Sequence, residues 1–241
     1  MKKLALILLA VALIFTFASC SKSSSSAAPS TSASAAAAPA AESSSTTPST
    51  GTVDSEYDPN KTVDFTQQTS EENRVVTIGT IDKGLYKQPV FVTSFGQSTD
   101  AAMLDTVMKR IGVDYVYNAT ATADTIKGYK TIIIAVGAST KGLGAAGISE
   151  ADETARAKAI MEYINTNDVE VICCHIGGSA RRGTLSDLYS DMVMEKASLI
   201  VLKEDANFDY KFTKYAEEHN KPISLIYATK DALTVFTEIF Q

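Results

Sequence analysis

The residues best suited to chemistry lie in one segment, His175-Ile176-Gly177-Gly178-Ser179-Ala180-Arg181-Arg182-Gly183. Glycines let backbone N–H groups approach a ligand closely. The Arg181 and Arg182 guanidinium forks match carboxylate or phosphate. A helix start at Thr184 would add free N–H groups and a favourable dipole. This pattern points to anion binding, or else to a surface loop whose arginines pair with local acids. His175 ends an apolar run beside this loop. With Ser179 or Asp205 it would form a weak catalytic set, His175 acting as general base. Neither G-x-S-x-G nor a triad order is present, and a hydrogen-bonded strand-end histidine is the plainer reading. His219 lies near a helix C-terminus, where a cation suits the dipole.

Two glycine patterns match cofactor motifs only as text. Gly142-Leu143-Gly144-Ala145-Ala146-Gly147 satisfies G-x-G-x-x-G. It follows the third strand-like run instead of the first, which is the wrong context for a dinucleotide. Gly137 to Gly142 begins like a P-loop, but Leu143 stands where lysine is required. The glycine-rich stretch is therefore read as a mobile flap. Cys173 and Cys174 are strand neighbours facing opposite ways, and both read as small core residues. Cys173 and His175 share a face, but two ligands do not make a zinc site. No metal and no cofactor is expected.

Strands and helices must alternate to position these loops. Six short apolar runs, at 90–93, 115–117, 131–136, 169–175, 198–202 and 223–227, read as strands. Arg74 to Ile78 is a candidate additional edge strand. Continuous runs such as Ile132-Ile133-Ile134 suit strands buried on both faces, as in parallel sheets. Helical patterns fall between them. Ser98 or Thr99 caps one that Gly112 ends. A short one spans Thr122 to Lys127, and others start at Ser149 and Thr184. A further helix carries Phe208, Phe212 and Tyr215, and the last runs from Thr229 to Phe240.

This alternation predicts an α/β fold, a Rossmann-like three-layer sandwich with a mainly parallel six-stranded sheet and helices on both faces. Two strand orders are open, 3-2-1-4-5-6 and 2-1-3-4-5, and six strands favour the first. Ligands then bind beyond the carboxyl ends of the strands. The candidate binding residues are Ser94, Gly96, Gln97 and Ser98 after the first strand and Gly137, Ser139 and Lys141 after the third. After the fourth they are His175, Gly177, Gly178, Arg181 and Arg182. In the favoured order the first and fourth strands are neighbours. In the other, the Gly137 to Gly147 loop faces Ser94 to Ser98.

The N-terminus reads as an address. Lys2 and Lys3 precede an apolar stretch of 14 residues, Leu4 to Phe17. Such a stretch fits a signal peptide and falls short of the ~18 residues that suggest a spanning helix. Phe17-Ala18-Ser19-Cys20 resembles the lipobox of bacterial lipoproteins. In that family cleavage leaves the cysteine first and diacylated, although Phe17 replaces the usual leucine. Residues 1–19 are thus expected to be a lipoprotein signal and Cys20 the lipidated residue. In 21–52, 30 of 32 residues are Ser, Thr, Ala, Pro or Gly. Such a chain has almost no apolar surface to bury and reads as a tether. Residues 20–73 are assigned to the lipidated cysteine and a disordered tether, and 74–241 to a single α/β domain. The whole chain carries 22 bases and 28 acids, a net −6, and without Lys2 and Lys3 the balance is −8. That excess argues against nucleic acid and against general attraction to anionic lipid.

The strings Val92-Thr93-Ser94-Phe95-Gly96-Gln97-Ser98, Lys127-Gly128-Tyr129-Lys130, Lys141 to Ile148 and His175 to Gly183 resemble a family of exported bacterial proteins. That family is known only as a domain of unknown function. The resemblance covers about Pro89 to Phe240, and it implies boundaries and no catalytic residues. The sequence is best read as a lipoprotein facing the periplasm or cell exterior, anchored through Cys20 and binding a small anionic solute. A transporter or sensor protein would be its partner. An exported enzyme using His175 and a structural envelope module are the alternatives.

Overall fold

The computed structural model describes residues 66–241. The expected signal peptide, the lipidation candidate Cys20 and most of the expected tether lie outside the described residues. The strands are β1 (Val75–Ile78), β2 (Val90–Phe95), β3 (Tyr115–Tyr117), β4 (Thr131–Val136), β5 (Glu170–His175), β6 (Ala197–Lys203) and β7 (Ile223–Ile226). The helices are α1 (Asp100–Ile111), α2 (Thr140–Ala146), α3 (Glu150–Thr166), α4 (Thr184–Met194), α5 (Lys211–Glu218) and α6 (Ala232–Phe240). Among the described residues no helix is long and apolar enough to cross a membrane.

One seven-stranded sheet runs in the order β1-β7-β6-β5-β4-β2-β3. Only β1 is antiparallel, pairing with β7 at the edge. Two expectations are corrected here. The sheet has seven strands instead of six, because the candidate edge strand is real. The order is also not 3-2-1-4-5-6. β2 pairs with β3 on one side and β4 on the other, so the first and fourth parallel strands are not neighbours. Counted from β2, the order is 2-1-3-4-5-6. The switch therefore falls between β2 and β4.

Alternate side chains of each strand feed two cores, as the two-residue strand period requires. Ile132, Ile134 and Val136 join Ala157, Ile160 and Ile164 of α3, Tyr189 and Val193 of α4 and Phe212 of α5. Ile133 and Ala135 join Leu104 and Met108 of α1 and Val235 and Phe236 of α6. Cys173 and Cys174 divide between the two cores, both buried and free.

Three local readings also change. Residues 66–73 are not tether. The buried Glu204 carboxylate, at the end of β6, accepts from Gln68 N, Thr69 N and Thr69 Oγ1 at 2.5–2.7 Å, which ties this stretch to the domain. Thr122 to Lys127 forms turns instead of a helix. The Thr125 hydroxyl engages the Thr122 backbone at both its N–H and its carbonyl, a local bond that competes with helix formation. The stretch read as a flap is α2. Ser139 caps it by accepting from Gly142 N at 3.1 Å, and Gly147 ends it at φ 67°.

Candidate active crevice at the switch between β2 and β4

Backbone contacts join the loops leaving β2 and β4. Gly137 N donates to Phe95 O at 3.0 Å and Ser139 N to Gly96 O at 2.8 Å. Gln97 and Ala138 form an isolated antiparallel bridge. Gly96 has φ 95°, and a Cβ there would sit 2.5 Å from Gly137 O, so the approach requires glycine. A Cβ at Gly142 would lie 1.8 Å from Gln97 O, which seats α2 against the same loop.

A buried ion pair holds this loop from α3. Glu153 is fully buried and accepts from Gly96 N at 2.7 Å and Gln97 Nε2 at 3.2 Å. Arg156 donates to Glu153 at 2.8 and 2.7 Å, to Ala121 O at 2.7 Å and to Ser94 O. Gln97 Nε2 also donates to Ala119 O at 2.9 Å. Its side chain therefore turns into the protein. Gln97 thereby ties the loop to α3 and to Ala119 through its Nε2 group.

Inside the loops lies a polar cluster on the α1 face. Asp100 opens α1 and is 1% exposed, and among the described residues neither carboxylate oxygen has a partner in good hydrogen-bond geometry, although the Gly177 backbone and the Ser98 hydroxyl lie beside it. The Ser94 hydroxyl is buried and unpartnered too. Ser98 Oγ accepts from Asp100 N at 3.3 Å. Cβ atoms at Gly177 and Gly137 would fall 2.7 Å and 3.7 Å from Asp100 Oδ2. Burial pushes the Asp100 carboxyl up, while the Arg181 charge, the Gly177 backbone and the Ser98 hydroxyl pull it back. Buried polar atoms are nearly always paired, so three orphaned oxygens at a switch point mark where a ligand or water belongs.

The α5 face of the same edge is occupied by the protein itself. Arg182 donates to Asp187 Oδ1 and Oδ2 at 2.7 and 2.9 Å, to Asp209 Oδ1 and Oδ2 at 3.0 and 2.7 Å and to Ala206 O. All five of its N–H groups are committed. Arg182 is thus corrected from anion ligand to buried structural cation, its side chain 1% exposed. Arg181 is different: among the described residues it makes no ion pair within 4.0 Å and no side-chain hydrogen bond.

His175 shares this second face. Nδ1 bonds Val136 O at 2.9 Å, Nε2 is buried without a partner, and the ring stacks on Phe212. No hydrogen bond joins it to Ser179 or Asp205. Asp205 instead accepts from Ser179 N at 3.2 Å and Lys203 Nζ at 2.5 Å. The three weak catalytic candidates do not form a set. Ser139 is engaged as a cap, and Lys141 is exposed on α2.

Burial lowers His175 to about 4, against bonding to the Val136 backbone, which raises it. The unfolded ring titrates near 6.5, so protonation favours the unfolded chain in between. Stability should be fully present above pH 6.5 and fall by about 3 kcal/mol as pH drops to about 4. His175→Gln should flatten that window in urea titrations at stepped pH. An unchanged slope would assign the loss to other groups.

Sequence reasoning missed Asp100, Glu153 and Arg156. Fold and site together define an α/β domain with a mostly parallel sheet and a buried polar cluster at its switch point. The chain belongs to the family described as a domain of unknown function, DUF6305, which it matches over residues 87–240. No curated protein matches the sequence. A Bacteroides fragilis protein described as a candidate acylhydrolase, solved at 2.00 Å, aligns over 57% of this chain and 68% of its own. The identity is 11% and the TM-score 0.25, a likeness that carries no functional weight.

Proposed function

We propose that this chain is a membrane-tethered lipoprotein, built on a Rossmann-like sandwich, that binds a small solute at the β2–β4 switch and serves a transporter or sensor. One observation carries the reading: the buried Asp100 carboxylate has no partner among the glycines of three converging loops. Open α/β sheets bind ligands at this position. The enzyme alternative has no comparable support, since His175 contacts neither of its intended partners.

A thermal-shift screen of carboxylates, phosphates, amino acids and nucleosides on the detergent-solubilised chain tests it, because a ligand of the native state raises Tm by mass action. A hit should lose its effect in Asp100→Asn. Hits indifferent to Asp100 would overturn the proposal. The anchor has its own test. Cys20→Ser should move the protein from the membrane to the soluble fraction, since stable anchoring needs the acyl chains. Absence of palmitate label on the wild-type chain would contradict lipidation.

A further inference from the structure

We infer that the crevice takes a small zwitterion, its ammonium group on Asp100 and its carboxylate on Arg181. This rests on the binding reading above and fixes the charge class of the solute. Two opposite charges face one glycine floor without pairing. A Cβ at Gly177 would lie 2.4 Å from Arg181 Cγ and 2.7 and 2.8 Å from the Asp100 oxygens. Arg181 acts electrostatically on Asp100. Even so, no ion pair within 4.0 Å joins them. Asp100 lacks a donor and Arg181 an acceptor, and one zwitterionic molecule supplies both.

An ammonium group has three donors for the orphaned Asp100 oxygens. A carboxylate matches the free guanidinium fork of Arg181. A purely anionic solute, as the adjacent arginines suggested, would bring its charge against Asp100 in a low-dielectric site. A simple amine would leave Arg181 unmatched. Glycine at 96, 137 and 177 lets the three loops and the Asp100 and Arg181 side chains approach one another closely. The Ser94 hydroxyl is one more unpartnered group on the same side of the sheet. Access requires Arg181 to move. Its turn, Ser179–Arg181, follows Gly178 at φ 76° and precedes Gly183 at φ 147°. Arg182, pinned by two carboxylates, stays in place.

The test is titration calorimetry of the full chain with the protein α-amino acids and with the deaminated acid and decarboxylated amine of each. At least one amino acid should bind about ten- to a hundredfold more tightly than either counterpart, the effect of one charge-assisted contact. Asp100→Asn should erase its preference over the acid, and Arg181→Ala its preference over the amine. Should Asp100→Asn not fold, the change at half-buried Arg181, Arg181→Ala, decides alone. An acid that binds as tightly as its amino acid, indifferent to Asp100→Asn, would overturn the zwitterion. So would a solute from the wider screen that needs Asp100 but carries no paired charges. In that last case the binding reading survives. If no solute of any class binds, both fall.

Discussion

Arg182→Ala should destabilise the domain by about 3–5 kcal/mol, the cost of leaving buried charge uncompensated. Its side chain is 1% exposed, and its partners Asp187 and Asp209 are 6% and 29% exposed. Burial opposes the Arg182 charge, and the bonds to both aspartates more than offset that, raising its pKa. The guanidinium also stacks over the Phe208 and Phe212 rings at 4.8 and 5.2 Å. Alanine would therefore remove packing as well as charge. Arg182→Lys should recover only part of the loss, because an ammonium cannot reproduce five bonds in a planar fork. Urea denaturation reads the effect directly. A loss below about 1 kcal/mol would mean the pair behaves like an exposed one.

Glu153→Ala should be comparably costly, about 3–5 kcal/mol, and should also loosen the crevice. It would leave Arg156, 11% exposed, with backbone carbonyls alone. It would also free Gly96 N, which now donates to the carboxylate, and leave Gln97 Nε2 with Ala119 O alone. Hydrogen exchange at the Gly96 amide should therefore accelerate in the variant. Adding Arg156→Ala should restore some stability, because the second change removes the unpaired cation. Strict additivity of the two changes would contradict the clamp.

The sheet was legible where burial leaves a pattern. Ile132-Ile133-Ile134 has apolar side chains on both faces, and only a covered strand permits that. Strand order was less legible because both candidate orders obey the same crossover rule. A signal did exist in β3. Tyr115-Val116-Tyr117 is short and its Val116 and Tyr117 are exposed in the fold, as suits an edge strand. The favoured order would have placed it inside the sheet.

The site was legible as loops and not as side chains. Arg181 and Arg182 look alike in sequence. Their fates differ because the partners of Arg182 lie 5 and 27 positions away. Asp100 gave no sign of itself, since acids in a first helical turn commonly complement the dipole. Glu153 was hidden in the charged run Glu150-Ala151-Asp152-Glu153-Thr154-Ala155-Arg156, which reads as a solvated face. The four glycines of 137–147 suggested mobility, but Ser139 and Gly147 cap α2 at its two ends.

The most direct measurement is amide chemical-shift mapping of the chain during titration with the solute that most raises its Tm. Perturbations are expected at Gly96, Ser98, Asp100, Gly137, Gly177 and Arg181, with Asp100→Asn suppressing them. Shifts confined to other surfaces, such as the groove of Met103, Val107 and Leu233 between α1 and α6, would contradict it.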